Sequence, residues 1–540
     1  MNDKNANKTS TEKSYDHSNN NSSHVFTLLG FKKWVIEEAQ RILEYTVDKD
    51  EIVLETGYGP TGLPHIGTIL EVIRTKMVKQ VLEEIQSKKV RLLSFSDDLD
   101  ALRKVPSNIP TELSNSKTMF DYIDYPVCDI PDPFGCCDSF ATHGIKKLHE
   151  LLQIFGLSDH IEYYRSSVEY RTGKFNDALK KLLHNRQSAI NIMNPYLREK
   201  RQKTYSPFMP ISIVTGKVCM DHVVDYDDIK EEVIYIDSDG VERRASIYNG
   251  NCKVPFKVDF GMRWAVLGVD YEMQGKDLVD TVKISSTICE QVFKSRSPLS
   301  LFHEFFLDLT GKKISKSKGN GIGLDEWLRY TPPETLKHFM FGNPKTARTM
   351  DIQELARYVD AYLDDINTYD YTKPFNTTKL SPIYFIDKNT TIKYQFSFNL
   401  LVNLAKGLQP ESFELFTDFL KNRYTFNKHD EELIAYAYRY FDEKCREQIE
   451  YTPPTWFIKY VKQLYNILSD SEIFSDKFLK DNLFSLGKQA IADGYVKNIH
   501  EWCVIWYNTI LKSQQGPRLA SLFMLYGKEY TLQTLKKVID

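Results

Sequence analysis

Between residues 51 and 86 the chain changes its hydrophobic period within a few positions. Ile52-Val53-Leu54 is a short unbroken apolar run, as in a strand buried on both faces. A turn-rich stretch follows, with Gly57, Gly59, Pro60, Gly62 and Pro64. Then Ile66, Ile69, Leu70, Ile73, Met77, Val81 and Ile85 recur at three- and four-residue spacing, which predicts a helix with one apolar face. Strand, glycine-rich turn and helix form the opening unit of a parallel α/β sheet, whose ligands sit outside the carboxyl ends of the strands. The same logic predicts a leading helix from Phe31 to Leu43, a strand over Val90–Phe95, a helix over Ser139–Phe155 and a strand over Ile161–Arg165.

From about residue 166 to 257 the pattern changes. One helical stretch, Phe175 to Met193, precedes short strands at Ile211–Val214, Val233–Ile236 and Ala245–Tyr248, with Ser238-Asp239-Gly240 as a hairpin turn. A strand over Phe302–Leu309 and short helices over Leu324–Ile366 come next, and beyond about 390 the chain reads as mostly helical. The expected organisation is a tail over 1–24, a Rossmann-like parallel-sheet domain over 25–165 and 258–309, an insertion over 166–257 that splits it, a connecting region over 310–389, and an all-α domain over 390–540.

Composition adds exclusions. Lys plus Arg number 70 against 73 for Asp plus Glu, a formal net charge of −3, so the chain is not a generally basic nucleic-acid binder; a local basic face would suffice for a folded RNA. Lys200, Arg201, Lys203, Arg243 and Arg244 in the insertion are candidates for phosphate contacts. No apolar run approaches the length of a membrane span. Eight cysteines are scattered without a C-x-x-C pair, and the adjacent Cys136-Cys137 do not suit a simple bridge; they read as reduced thiols of a cytoplasmic protein, with no spacing that supports a metal site. Residues 1–24 are polar, lack an apolar segment and carry Asp3, Glu12 and Asp16, which argues against a secretory or organellar leader.

Two motifs carry chemistry. His65-Ile66-Gly67-Thr68 stands where the first helix starts: the helix offers N–H groups and a partial positive charge to phosphate, the histidine can donate to phosphate oxygens, and the glycine lets a flat base approach the backbone. About 250 residues downstream, Lys313-Ile314-Ser315-Lys316-Ser317-Lys318 offers lysines to a departing pyrophosphate on a loop of small residues. Together they resemble the HIGH and KMSKS signatures of class I aminoacyl-tRNA synthetases. Two further runs resemble a narrower family, the class I lysyl-tRNA synthetases: Asp97-Asp98-Leu99-Asp100-Ala101-Leu102-Arg103-Lys104-Val105-Pro106 after the second strand, and Val258 to Leu278, which contains Arg263-Trp264 and Gly275-Lys276-Asp277. The resemblance extends from about residue 45 to the end of the chain.

That resemblance implies activation of L-lysine by ATP with Mg2+ and transfer to tRNA(Lys), in a cytoplasmic monomer with a helical anticodon-binding domain. It implies catalytic roles for His65, Lys313 and Lys316, and ATP contacts from Pro60, His65, Gly67, Thr68, Gly275, Asp277 and Lys316, with Asp277 on the ribose. It implies a lysine pocket of Gly57, Gly59, Asp97, Trp264, Tyr271 and Glu272, in which an aromatic wall covers the stem and an acid pairs the ammonium. Two readings of the acidic run remain: ligand-facing carboxylates, or the first turn of a capped helix. Trp264 is equally readable as core. Some relatives carry Thr at Gly59 and His at Leu278, so the pocket departs from the family pattern there. Glutamate specificity and a non-catalytic tRNA-binding module are the rival readings; the acidic neighbourhoods of Asp97, Asp98, Asp100 and Glu272 favour a cationic substrate.

Overall fold

The computed structural model describes residues 33–107, 109–113, 117–220, 222–314, 322–371, 380–386, 392–446, 451–514 and 516–540. They fall into two compact units: Met1–Phe306 with Met340–Arg348 and Thr372–Phe385, and Leu307–Phe339 with Thr349–Tyr371 and Ile386–Asp540.

The first unit is built on a five-stranded parallel sheet of order β10-β9-β1-β2-β3, where β1 is Glu51–Tyr58, β2 Lys89–Ser96, β3 Ile161–Arg165, β9 Tyr271–Gly275 and β10 Leu299–His303. The apolar runs Ile52-Val53-Leu54 of β1 and Leu92-Leu93 of β2 suit strands covered on both faces. They pair along their whole length, Glu51↔Lys89 to Tyr58↔Ser96. From β1 the chain moves outward through β2 and β3, then returns to the other side of β1 through β9 and β10. The order therefore reverses between β1 and β9, and a crevice for ligands opens at that switch point. These two strands pair at Leu54↔Tyr271 and Glu55↔Glu272, whereas β1 runs on to Tyr58 and β9 to Gly275.

Helices α1 (Trp34–Tyr45) and α2 (Ile66–Ile85) pack together, and α2 lies on β1, β2 and β9. Helix α3 spans Phe140–Ile154, capped by the Ser139 hydroxyl, which accepts from Thr142 N–H at 3.2 Å. On the other side of the sheet, α7 (Phe256–Leu267) presents Phe260 and Trp264 to Val53 and Leu93. It ends at Gly268, whose φ of 68° is the left-handed cap that glycine adopts without strain. Its neighbour α8 is Val279–Gln291. A Cβ at Gly261 would stand 2.6 Å from Ser285 O, so the α7–α8 approach requires glycine there.

The expected helix over 175–193 is two helices, α5 (Asn176–His184) and α6 (Arg186–Met193), after a short helix α4 (Ser166–Arg171). Asn185 sits between them, outside both. The expected strand at Ile211–Val214 is one bridge, Ile211↔Val218, and a turn closed by the Ser212 hydroxyl. The antiparallel sheet β5-β6-β7 (Val223–Asp227, Glu232–Ile236, Glu242–Ser246) turns at Gly240 as anticipated, and β4 (Met209–Pro210) pairs with β8 (Cys252–Lys253). Tyr170, Phe175, Val233, Tyr235 and Ile247 of this region share one core with Phe95, Val258 and Met262, so the insertion is continuous with the sheet domain in packing.

The second unit is helical after its first residues. Helices at Phe398–Leu408, Phe413–Lys421, Lys428–Tyr440, Asp476–Ala492 and Ile499–Leu511 start behind Ser397, Ser412, Asn427, Ser475 and Asn498, whose side chains take a first-turn N–H. Phe457, Tyr460, Trp502 and Trp506 form an aromatic core there. Among the described residues no helix is long and apolar enough to cross a membrane.

Candidate active site

Four buried carboxylates surround one buried guanidinium at the switch point. Arg263, on α7, is 0% exposed. Its Nη1 donates to Asp97 Oδ1 at 2.7 Å, and its Nε lies 2.8 Å from Glu55 Oε1 without hydrogen-bond alignment. Glu272 Oε1 stands 3.8 Å from Nη2 and Asp259 Oδ2 3.9 Å from Nη1. Phe95 and Phe260 cover the guanidinium faces, with ring centroids 4.5 and 4.1 Å away. The arrangement follows from periodicity. Glu55 and Glu272 are direct neighbours across β1 and β9, Asp97 follows the end of β2, and Asp259 and Arg263 are one helical turn apart. Asp259 also accepts from Tyr170 Oη at 2.6 Å and Glu272 from Trp264 Nε1 at 2.7 Å.

Negative charge is in excess here. Burial pushes the Glu55 carboxyl up to about 7, with Arg263 opposing and Asp97 and Asp259 reinforcing the rise. Burial also raises Asp97 to about 6 against the pull of Arg263. Glu272 is held well above the carboxylate range by burial and by Glu55. Burial works against the Arg263 charge, but Asp97 and Glu55 outweigh it and its pKa is raised. Both oxygens of Glu55 and Oδ2 of Asp259 lack a hydrogen-bond donor among the described residues. A further cation entering this cluster would lower its energy.

Gly57 leaves the way in. A Cβ there would lie 3.7 Å from both Arg263 Nη2 and Glu272 Oε1. Of the expected lysine-pocket residues, Gly57, Asp97 and Glu272 therefore meet. Trp264 is 0% exposed and stands behind Glu272 as a fixing donor rather than an open wall. Tyr271 does not join them. Strand alternation turns it to the opposite face, where Glu38, Arg41 and Arg74 of α1 and α2 are its charged neighbours. Gly59 is exposed, with nothing within 4 Å of a Cβ built on it. The acidic run divides its work. Asp98 accepts from Arg165, Ser166, Ser167 N–H and the Ser167 hydroxyl, tying the end of β3 to the start of α4, and Asp100 pairs with Lys253. Glu55 and Asp259 carry no role in the reading of the sequence, and Arg263 enters it only as part of a family-like run. Their signal was present: a charge inside a buried strand, and an acid and a base four residues apart on a helix beside Trp264.

At the start of α2, the His65 ring caps its own helix. Nδ1 accepts from Gly67 N–H at 3.0 Å and Thr68 N–H at 3.3 Å, and Thr68 Oγ1 accepts from His65 N–H at 3.4 Å. Two of the amides read from the sequence as open to phosphate are thus occupied. The cap fixes the tautomer, because an accepting Nδ1 leaves the ring proton on Nε2. A Cβ at Gly67 would meet the ring at 2.8 Å. Pro60 is buried in the preceding loop, which Tyr58 closes by donating to Gly62 O at 2.7 Å. Across the crevice, Gly275 ends β9, and a Cβ on it would meet Asp277 Oδ1 at 2.5 Å; Asp277 itself is exposed. His303, at the end of β10, lies 3.2 Å from Glu71 of α2, whose pKa burial raises. Lys313 bridges to Leu307 in the second unit, and Lys316 lies outside the described residues. Arg243 and Arg244, read as phosphate contacts, pair with Asp239 and Asp227.

A second cluster gathers residues that the sequence spacing left unconnected. Asp132, Cys136, Cys137 and His143 each offer a ligand atom, all within 4.8 Å of one another. Asp132 turns the chain by accepting from the N–H groups of Phe134, Cys136 and Cys137, and Ser139 starts α3 so that His143 falls on its first turn. Two thiols, an imidazole and a carboxylate are a donor set that zinc takes tetrahedrally. The run Asp-x3-Cys-Cys-x5-His lacked the C-x-x-C signal by which such sites are usually read.

A family model described as tRNA synthetases class I (K) matches residues 32–390. A lysine--tRNA ligase of Rickettsia bellii (strain RML369-C) is 34% identical over 521 residues, covering 94% of this chain and 98% of the relative. The lysine--tRNA ligase of Rickettsia typhi (strain ATCC VR-144 / Wilmington) is 35% identical over 526 residues, covering 94% and 96%. Among solved structures, a glutamate-tRNA synthetase from Elizabethkingia anophelis aligns over 91% of this chain and 99% of its own with 12% identity and a TM-score of 0.38, a likeness too loose to bear on the site.

Proposed function

We infer that this chain, which belongs to the class I tRNA synthetases (K), is a lysine--tRNA ligase whose buried carboxylate cluster selects lysine. As in aminoacyl-tRNA synthetases generally, ATP is the second substrate. The lysine carboxylate attacks the α-phosphorus of ATP, pyrophosphate leaves, and a hydroxyl of the terminal adenosine of tRNA(Lys) then takes the aminoacyl group from the adenylate, releasing AMP. No side-chain nucleophile is needed; positioning and charge stabilisation carry the rate. The observation that carries lysine specificity is the cluster of Glu55, Asp97, Asp259 and Glu272, anionic in excess and faced by the side-chain-free Gly57. A glutamate side chain would meet those carboxylates as a like charge.

In this reading His65 donates from Nε2 to the triphosphate, Asp277 holds the ribose, and Pro60, Gly67, Thr68 and Gly275 shape the nucleotide site. Lys313 and Lys316 neutralise the departing pyrophosphate, with Mg2+ accompanying ATP. The Asp132–Cys136–Cys137–His143 cluster holds a structural zinc ion. ATP–pyrophosphate exchange tests the specificity, run with lysine and with glutamate, with and without tRNA. Exchange with lysine and none with glutamate is expected. Exchange with glutamate would overturn the pocket, and inactivity of folded, tRNA-binding protein under every condition would favour a non-catalytic module.

A further inference from the structure

Gln274 is 2% exposed, and neither its Oε1 nor its Nε2 has a hydrogen-bond partner among the described residues. A buried carboxamide is ordinarily satisfied, and an orphaned one marks a place where something else is meant to bind. Its position says what. Gln274 is two residues beyond Glu272 on β9, so both project from the same face of the strand. It directly precedes Gly275 at the carboxyl end of the strand, on the β9 side of the crevice where pairing with β1 stops at Glu55↔Glu272. Two residues of parallel strand rise about 6.6 Å. An extended lysine side chain has that length.

We propose that Gln274 binds the α-amino and α-carboxylate end of the amino acid while the carboxylates below it hold the side-chain ammonium. The inference rests on the lysine reading of the pocket and deepens it. A carboxamide suits the task because it presents both polarities: Oε1 accepts from the α-ammonium, and Nε2 donates to a carboxylate oxygen and, after activation, to the carbonyl oxygen of the adenylate. Gln274 is then a substrate-binding residue that aligns the attacking carboxylate.

Gln274→Met keeps the length of the side chain and removes both polar atoms. In ATP–pyrophosphate exchange with tRNA present, the KM for lysine is expected to rise roughly 10- to 100-fold, the worth of hydrogen bonds to charged groups. Pentylamine, which carries the stem and terminal ammonium without the α end, should inhibit the variant and the wild type equally. The melting temperature of the ligand-free variant should equal or exceed that of the wild type, because an unsatisfied amide has left the core. An unchanged lysine KM, equal weakening of lysine and pentylamine, or a lowered melting temperature would each overturn the proposal. Failure of the lysine reading is seen separately, in the wild type. If another amino acid is activated, the same variant is assayed with it, and since the α end is common to all amino acids, a KM rise of the same size supports Gln274 and an unchanged KM overturns it.

Discussion

Arg263 is ringed by more negative charge than it neutralises, and this has a consequence for pH. Glu55 titrates near 7 in the fold against 4.5 when unperturbed, and Asp97 near 6 against 3.8. Both are raised, so the native state holds protons that the unfolded chain has released. Their contribution to stability is complete below the unperturbed values, declines as pH climbs, and is gone above about 7. A lysine ammonium supplies the missing positive charge and returns the carboxyls to their ionised form. Binding should therefore release protons, and lysine should bind more tightly as pH rises through the same window. Each carboxyl that must ionise weakens binding about tenfold per pH unit below its pKa. The KM for lysine, measured in exchange from about pH 5.5 to about pH 8, is expected to fall and then level off above about 7, and Glu55→Gln should flatten the low-pH limb. A KM indifferent to pH in the wild type would mean that the ammonium binds elsewhere. This coupling was hidden in the sequence, because Asp97 and Glu272 are legible one at a time whereas their meeting with Glu55 and Asp259 depends on strand register and on one turn of α7.

At the scale of elements, the strand–turn–helix opening was legible because each piece carries its own period: an apolar run, a cluster of Gly and Pro, then three- and four-residue spacing. What the His65 ring does there was not, since a histidine as N-cap follows no strong propensity. Capping and chemistry can be separated. Asparagine is among the best N-caps, so His65→Asn should keep the Gly67 and Thr68 bonds and hold stability to within about 1 kcal/mol, while exchange kcat falls by at least tenfold for want of the phosphate donor. His65→Ala should lose both, including about 1 kcal/mol in urea unfolding. Equal kcat for His65→Asn and wild type would reduce the histidine to a cap. The turn into α3 gives a second case. The four residues proposed to hold zinc there come from an Asx turn and a helix start, neither of which writes a spacing that the chain alone reveals. Purified wild-type protein should hold about one zinc per chain, and Cys136→Ser or His143→Ala should abolish it and lower the melting temperature. Retention of full zinc by both variants would place the metal elsewhere.

At the scale of the molecule, two compact units make a single unfolding free energy an ill-defined quantity, and ligand linkage becomes the sharper probe. Gly57, Glu55, Asp97, Asp259, Arg263, Glu272 and Gln274 all belong to the unit built on the parallel sheet. The helical unit contributes none of them, and its aromatic residues go largely to its own core. A ligand stabilises what it binds by RT ln(1 + [L]/Kd), about 2.7 kcal/mol at a hundred times Kd. Saturating lysine should thus raise the unfolding transition of the sheet unit by several degrees and leave that of the helical unit in place. Calorimetry gives the transitions, and the tryptophans allow them to be assigned: Trp34 and Trp264 report the sheet unit, Trp327, Trp456, Trp502 and Trp506 the helical one. The Arg263→Met variant sharpens the experiment. It leaves four buried carboxylates without their guanidinium, which costs roughly 3–5 kcal/mol, so its sheet-unit transition should fall and lysine should restore a larger share of it than in the wild type. A shift of equal size in both transitions on adding lysine would mean that the binding free energy draws on both units, and the pocket would then have to extend beyond the residues named here.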